Sequence, residues 1–267
     1  MTRVDGLSVR VSGSGPPLIL LHGFTGGAAA WPSAALEPLL AVRTVALVDL
    51  PGHGESLLEL SPAEWDVYRT IERLAAVQQS CFGGPATWVG YSMGGRLALM
   101  AATAGVPMRS LLLESASPGL ESEDDRSVRR ARDEQLAARL EREGMEPFVK
   151  DWMDQPLFDS QQLLPDAVRS AENERRLANA PHQLAMALRG FGTGAQPPRH
   201  EQLADLRMPV ALLTGELDAK FTEIAQMMSR RIPVVSHDRV QNAGHAVHLE
   251  APAEWADWVV ANSWGGD

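Results

Sequence analysis

The chain has 267 residues, 45% of them hydrophobic and 22% charged, enough for one large α/β domain or a core domain carrying a smaller insertion. A formal charge of −10 leaves no basic surplus to neutralise phosphates, which argues against a general nucleic-acid binder but not against a basic pocket inside an acidic protein. Cys81 is the single cysteine, so intrachain disulfides and cysteine-based zinc clusters are excluded, and the 23 glycines and 18 prolines are too ordinary for a collagen-like or disordered chain.

The opening MTRVDGLSVRVSGSG has no apolar segment of the secretory type. The longest apolar runs, at 18–21 and 111–113, are far too short to span a bilayer. A soluble, cytoplasmic protein without membrane insertion is therefore expected, with monomer and homodimer both open. Of the 24 basic residues only Lys150 and Lys220 are lysine, a bias that a GC-rich genome explains.

Residues 4–11 read as an antiparallel edge strand. Short aliphatic runs at 18–21, 44–49, 87–90, 110–114, 209–214 and 233–240 read as strands of a buried sheet. Between them Val67, Ile71 and Leu74 recur at helical spacing, as do Leu97, Met100 and Ala101, and Trp255, Trp258 and Val259 mark a terminal amphipathic helix. Strand alternating with helix predicts a mostly parallel central sheet flanked by helices. The stretch 119–194 breaks this rhythm. Its segment 121–146 holds six arginines and nine acidic residues, and no strand is evident. It reads as a helical lid inserted into a core made of 1–118 and 195–267, over the carboxyl ends of the strands where open α/β sheets bind ligands. Ordinary solvated helices on the sheet face are the alternative.

Gly90-Tyr91-Ser92-Met93-Gly94 lies between an apolar strand and a helical segment, the strand–turn–helix setting that gives G-x-S-x-G its meaning. Glycines flank a turn too tight for side chains, and the serine hydroxyl is lifted to a helix N-terminus whose N–H groups face an incoming anion. A serine hydroxyl is nearly inert at neutral pH, so it needs a base, and the base needs an orienting group. His245 follows the last predicted strand and Asp218 the one before it, in the order Ser…Asp…His used by α/β-hydrolases. Glu216 and His248 compete for these roles. The position of His248, before Leu249-Glu250-Ala251-Pro252, suits a helix cap or structural role.

Over nearly its whole length the chain thus resembles the α/β-hydrolase superfamily, which implies that fold. The resemblance makes the backbone N–H groups of Phe24, after His22-Gly23, and of Met93 the oxyanion hole, worth a few kcal/mol together, roughly, at the transition state. The turn Asp49-Leu50-Pro51-Gly52-His53-Gly54-Glu55-Ser56 has a structural role in such proteins.

Several features are less general. Arg96 stands one helical turn after Ser92. Glu114-Ser115-Ala116-Ser117-Pro118-Gly119-Leu120 leads into an arginine-rich helix, followed by Asp151-Trp152-Met153-Asp154-Gln155-Pro156-Leu157-Phe158, by 175–179 (Arg-Arg-Leu-Ala-Asn), by 188–197 and by Asp218-Ala219-Lys220-Phe221. From about residue 18 to 255, lid included, this set resembles the MenH family, the 2-succinyl-6-hydroxy-2,4-cyclohexadiene-1-carboxylate synthases of menaquinone biosynthesis.

That resemblance implies a carbon–oxygen lyase expelling pyruvate from 2-succinyl-5-enolpyruvyl-6-hydroxy-3-cyclohexene-1-carboxylate, a small tricarboxylate. It implies Ser92, Asp218 and His245 as the triad, with the serine acting as base rather than forming an acyl-enzyme. It implies Arg96, Arg129 and Arg176 as substrate-binding arginines, with Tyr91, Trp152 and Lys220 as further contacts. Guanidinium groups suit such a ligand, because they hold carboxylates bidentately and stay charged. Arg126, Arg130 and Arg132 crowd Arg129, and Arg175 adjoins Arg176, so those two placements stay open. Glu121 stands where some relatives carry a glutamine. No metal site and no cofactor are expected, since neither a ligand cluster nor a glycine-rich phosphate loop is present. A carboxylesterase or C–C bond hydrolase with the same triad is the rival reading, and a non-enzymatic receptor the third.

Overall fold

The computed structural model describes residues 1–263, so the last four positions of the expected 195–267 segment lie outside the described residues. The strands are β1 Thr2–Val4, β2 Leu7–Gly13, β3 Pro17–Leu21, β4 Thr44–Val48, β5 Ala86–Tyr91, β6 Met108–Glu114, β7 Val210–Gly215 and β8 Val235–Val240. They form one sheet in the order β1-β2-β4-β3-β5-β6-β7-β8. From β4 to β8 the pairings are parallel, while β2 runs antiparallel to β4 and β1 antiparallel to β2. The single edge strand expected at 4–11 is therefore two strands. Asp5 and Gly6 both have positive φ, 47° and 84°, which is the backbone of a tight two-residue hairpin turn. The last strand starts at Val235 rather than 233, beyond Pro233, which has no N–H to give to a ladder.

Alternate residues of a strand face opposite sides of a sheet, and here both sides are covered. Leu18 and Leu20 pack with Val45, Val89, Leu112 and Trp255 under α1 (Ser33–Leu40) and α10 (Pro252–Asn262). Ile19 and Leu21 pack with Trp88, Leu111 and Leu113 under α2 (Val67–Phe82), α3 (Met93–Thr103) and α8 (Ala219–Ser229). The uninterrupted apolar runs of the central strands follow from this double burial.

Between β6 and β7 lie α4 (Glu123–Glu143), α5 (Met145–Met153), a 3-10 turn over Pro156–Leu163, α6 (Asp166–Leu177) and α7 (Pro181–Phe191), with no strand. Ser122 caps α4 by accepting from the Asp125 N–H, and Glu123, Asp124 and Asp125 place negative charge in its first turn, where the helix dipole favours it. These helices share a small core of Ala137, Leu140, Phe148, Val149, Leu184 and Leu188. Along α7 they also join the main body. Met186, Ala187 and Phe191 enter the principal core, and the Gln183 amide bonds both the N–H and the C=O of Leu58 at 3.0 Å. The remaining helix, α9 (Val247–Glu250), follows the loop after β8. No helix among the described residues is long and apolar enough to cross a membrane.

Candidate active site

Ser92 links β5 to α3 at φ 48° and ψ −105°, a conformation costly for a residue with a side chain. Its surroundings hold it there. The Ser92 N–H donates to the Glu114 carbonyl at 2.9 Å. A Cβ on Gly90 would lie 2.5 Å from the Gly95 Cα, and one on Gly94 only 2.2 Å from the Leu21 carbonyl oxygen. Only glycine permits this approach of β5, α3 and β3, which is why the elbow has the spacing it has.

The hydroxyl meets the imidazole of His245, Nε2 to Oγ, at 3.1 Å, and the His245 Nδ1 is 2.7 Å from the Asp218 Oδ2. The other Asp218 oxygen accepts from the Phe221 N–H at 3.2 Å and caps α8, so the carboxylate is fixed from two sides. His245 and Asp218 are both buried. Glu250 holds the loop around the imidazole, its oxygens accepting from the N–H of Gly244 at 2.7 Å and of Ala246 at 3.2 Å. The competing pair takes no part in this relay, although His248 also lines the cavity beside it. Glu216 is exposed and accepts from the Asn242 N–H. His248 donates from Nδ1 to the buried Glu114 at 2.8 Å, and its ring packs against Tyr91.

Ser92 opens into a cavity of about 630 Å³ roofed by the β6–β7 helices. Phe24 and Met93 line it beside the serine, and neither peptide N–H donates to another backbone group among the described residues. Those two N–H groups are free to meet a developing oxyanion. Tyr91 also lines the cavity, and burial, with Glu114 nearby, pushes its phenol well above the ordinary range, so it stays protonated. Trp152 faces the cavity while stacking on Phe148 at 5.6 Å and meeting Phe24 edge-on at 5.3 Å; it is both wall and helix core.

Six cations line this space: Arg96, Arg129, Arg132, Arg175, Arg176 and Lys220. Arg96 is buried, donating to the Gln196 Oε1 at 2.6 Å and to the Phe191 carbonyl at 3.3 Å, and forms no ion pair among the described residues. Burial, then the neighbouring charge of Arg129, lowers its pKa to about 10, which still leaves it charged at neutral pH. On α4, Arg129, Arg132 and Leu136 face the cavity at helical spacing, whereas Arg126 and Arg130 turn away to Glu123. Arg129 is paired with buried Asp133 at 2.7 Å. Arg175 and Arg176 both face inward and share Glu172. Lys220 is exposed at the mouth, its ammonium 5.5 Å from the Phe221 ring centre. Glu121 is exposed and off the cavity; the glutamines that meet arginines there are Gln196 and Gln161.

Asp133, Asn179 and Gln196 stand within the motifs read from the sequence but drew no role there, and Gln161 and Glu172 were overlooked. Buried Asn179 donates from its amide to the Thr25 carbonyl at 3.0 Å and to the carbonyls of Arg175 and Arg176, tying the arginine pair to the loop of Phe24. The i, i+4 spacing of Arg129 and Asp133 was a readable signal. Glu172 gave the same signal, three and four positions before Arg175 and Arg176 on α6, whereas Gln161 gave none, because its place depends on how the 3-10 turn meets α6.

Comparison with known proteins adds the following. Residues 18–258 match the model of the Alpha/beta hydrolase family. A Bacillus subtilis (strain 168) protein, provisionally assigned as a 2-succinyl-6-hydroxy-2,4-cyclohexadiene-1-carboxylate synthase, is 36% identical over 94% of this chain and 93% of its own. The 2-succinyl-6-hydroxy-2,4-cyclohexadiene-1-carboxylate synthase of Salmonella agona (strain SL483) is 36% identical over 91% of each chain. Among solved structures, MenH from S. aureus superposes with a TM-score of 0.88 at 33% identity, covering 96% of both chains. A thermophilic esterase from Thermogutta terrifontis, solved with malate bound, gives 0.84 at 25% identity, covering 96% of this chain and 92% of its own.

Proposed function

Because the chain belongs to the alpha/beta hydrolase family, and within it to the 2-succinyl-6-hydroxy-2,4-cyclohexadiene-1-carboxylate synthases, we propose that its cavity performs the pyruvate-expelling elimination of menaquinone biosynthesis. The protein is a lyase of that pathway. In this reading His245, oriented by Asp218, takes the Ser92 proton, and the Ser92 oxygen removes the hydrogen alpha to the succinyl ketone. The enolate oxygen lies against the Phe24 and Met93 N–H groups, where fixed dipoles stabilise it without reorganisation. Its electrons then move through the ring double bond, and the C–O bond to the enolpyruvyl group breaks. The proton held on His245 passes to the departing enolate, which becomes pyruvate, leaving the cyclohexadiene and a Ser92 hydroxyl that carries the abstracted hydrogen. No acyl-enzyme forms, and the steps use only groups of this chain.

The arginines hold the substrate's three carboxylates, with Arg96 nearest the serine, and Tyr91, Trp152 and Lys220 complete the contacts. The helices within 119–194 act as a lid, with 1–118 and 195–267 as the core, and the reaction takes place in the cytoplasm. One observation carries most of this reading. Arg96 is a buried arginine one turn from the serine and has no ion-pair partner among the described residues, which supports its role as an anion ligand, because a buried cation favours a counter-charge. Ester hydrolysis is the second reading, favoured by the triad geometry itself and by the likeness to the Thermogutta terrifontis esterase. The deciding experiment supplies the enolpyruvyl substrate and follows pyruvate by coupled NADH oxidation with lactate dehydrogenase. Turnover that disappears in Ser92→Ala, with substrate binding retained, is expected. Absence of pyruvate from the wild-type protein would overturn the lyase reading.

A further inference from the structure

Glu172 is unusual among the groups that face the cavity. Its carboxylate takes both terminal nitrogens of Arg175 and lies 3.4 Å from the Arg176 Nη2, so two of the six cavity cations are occupied before any ligand arrives. Its side chain is only 13% exposed, and Arg176 is buried too. A carboxylate seated on two inward-facing guanidinium groups has the chemistry of a ligand carboxylate in the same place. Arg129 is occupied by Asp133 in a comparable way, whereas Arg96 has no ion-pair partner among the described residues.

Glu172 also has somewhere to go. It lies on the partition between the main cavity and a second one of about 340 Å³, whose wall includes Arg169, Asn173 and Arg176. Arg169 precedes it by three positions on α6, which places the two side chains on the same helix face. A carboxylate rotated out of the main cavity would therefore meet another guanidinium, one it would share with the exposed Asp166, rather than an apolar wall.

We propose that Glu172 is an internal stand-in for a ligand carboxylate: it competes for Arg175 and Arg176, is displaced toward Arg169 when an anion binds, and so limits affinity for carboxylates. The proposal rests on the reading of this cavity as the substrate site. It makes Glu172 a specificity-determining residue, because a ligand with too few carboxylates to displace it gains little from the arginine pair. Release of the product also becomes easier, since the returning glutamate replaces the departing anion.

The test uses succinate as the probe, titrated calorimetrically into the folded protein, alongside KM for the enolpyruvyl substrate. Glu172→Gln keeps the side chain's shape but removes its charge. It should bind succinate about fivefold more tightly and lower KM in proportion, the size of a charge-assisted hydrogen bond partly regained. Arg175→Gln should weaken succinate binding, and the double variant Glu172→Gln/Arg175→Gln should recover to within about twofold of the wild type. The double variant removes the pair together, so it reads the competition even where Glu172→Gln alone fails to fold. Succinate bound no more tightly by Glu172→Gln, or a double variant as weak as Arg175→Gln, would overturn the proposal. The expected pattern with succinate, in a protein that releases no pyruvate, would sustain the stand-in and sink the lyase reading.

Discussion

Two imidazole–carboxylate pairs lie side by side in this fold, and on paper they are nearly the same object. His245 reaches Asp218 at 2.7 Å and His248 reaches Glu114 at 2.8 Å, through the same ring nitrogen and in equally buried surroundings. The far nitrogen of His245 has the Ser92 hydroxyl at 3.1 Å. The ring of His248 instead packs among Trp31 and Tyr91, with centroids 4.8 Å and 4.6 Å away. Glu114 moreover accepts three hydrogen bonds, from the His248 N–H, from its Nδ1 and from the Trp255 Nε1, and thereby joins β6, α9 and α10. A buried histidine paired with a carboxylate is thus no catalytic signature by itself. What stands at the second nitrogen decides between a proton relay and a structural tie.

Neutralising each carboxylate in turn separates the two pairs most strongly. Asp218→Asn should keep its place under the imidazole but favour the wrong tautomer, lowering kcat for pyruvate release by about four orders of magnitude. Its melting temperature should stay near that of the wild type. Glu114→Gln should do the reverse. An amide there cannot accept all three hydrogen bonds, so urea denaturation should show a loss of about 3 kcal/mol, as for other broken buried pairs. The protein that remains folded should turn over within about threefold of normal. Loss of turnover in Glu114→Gln at undiminished stability would move His248 into the chemistry and dissolve the contrast.

The sequence made the first pair far easier to find than its surroundings. Strand–turn–helix context and chain order point to Ser92, Asp218 and His245, because local sterics and short loops fix where each stands. Strands buried on both faces are readable as apolar runs for the same reason, whereas the hairpin at Asp5 and Gly6 reads as one strand. The partners of the arginines were a harder matter. Arg129 and Arg132 share a face of α4 by helical spacing, but which face turns inward depends on the packing of Leu140 and Ala137 against α7. Glu172 was legible from its spacing to Arg175 and Arg176 on α6, but Gln161 and Gln196 are brought in by other segments, and nothing periodic announces them. The counter-ions of these arginines stand one turn away on their own helices; whether a pair turns toward the cavity is a property of the tertiary fold.

Arg96 separates the proton relay from anion recognition. Arg96→Ala should cut kcat/KM for the tricarboxylate by about a hundredfold, the value of a buried charge-assisted contact, and leave p-nitrophenyl acetate hydrolysis close to its original rate. Equal losses with both substrates would mean that Arg96 supports the elbow rather than the ligand.

A third kind of buried histidine completes the series, one with no carboxylate in an ion pair. His22 donates from Nδ1 to the Gly23 carbonyl and accepts from the Leu50 N–H at Nε2, so it is held neutral, and His53 packs 5.1 Å away. Burial lowers His22 from 6.5 to about 4 and His53 to about 3, with the neighbouring His22 adding to the latter shift. In the unfolded chain both take up protons below about pH 6.5, while the folded protein resists doing so until about pH 4 or lower. The unfolded state therefore binds more protons in that window, and stability falls as pH falls, by up to about 1.4 kcal/mol per pH unit for each ring. Urea denaturation at pH 7, 6 and 5 should show this decline, and His53→Gln should make it shallower by one ring's share. An unchanged slope in that variant would mean that His53 takes up its proton in the folded protein as readily as in the unfolded chain.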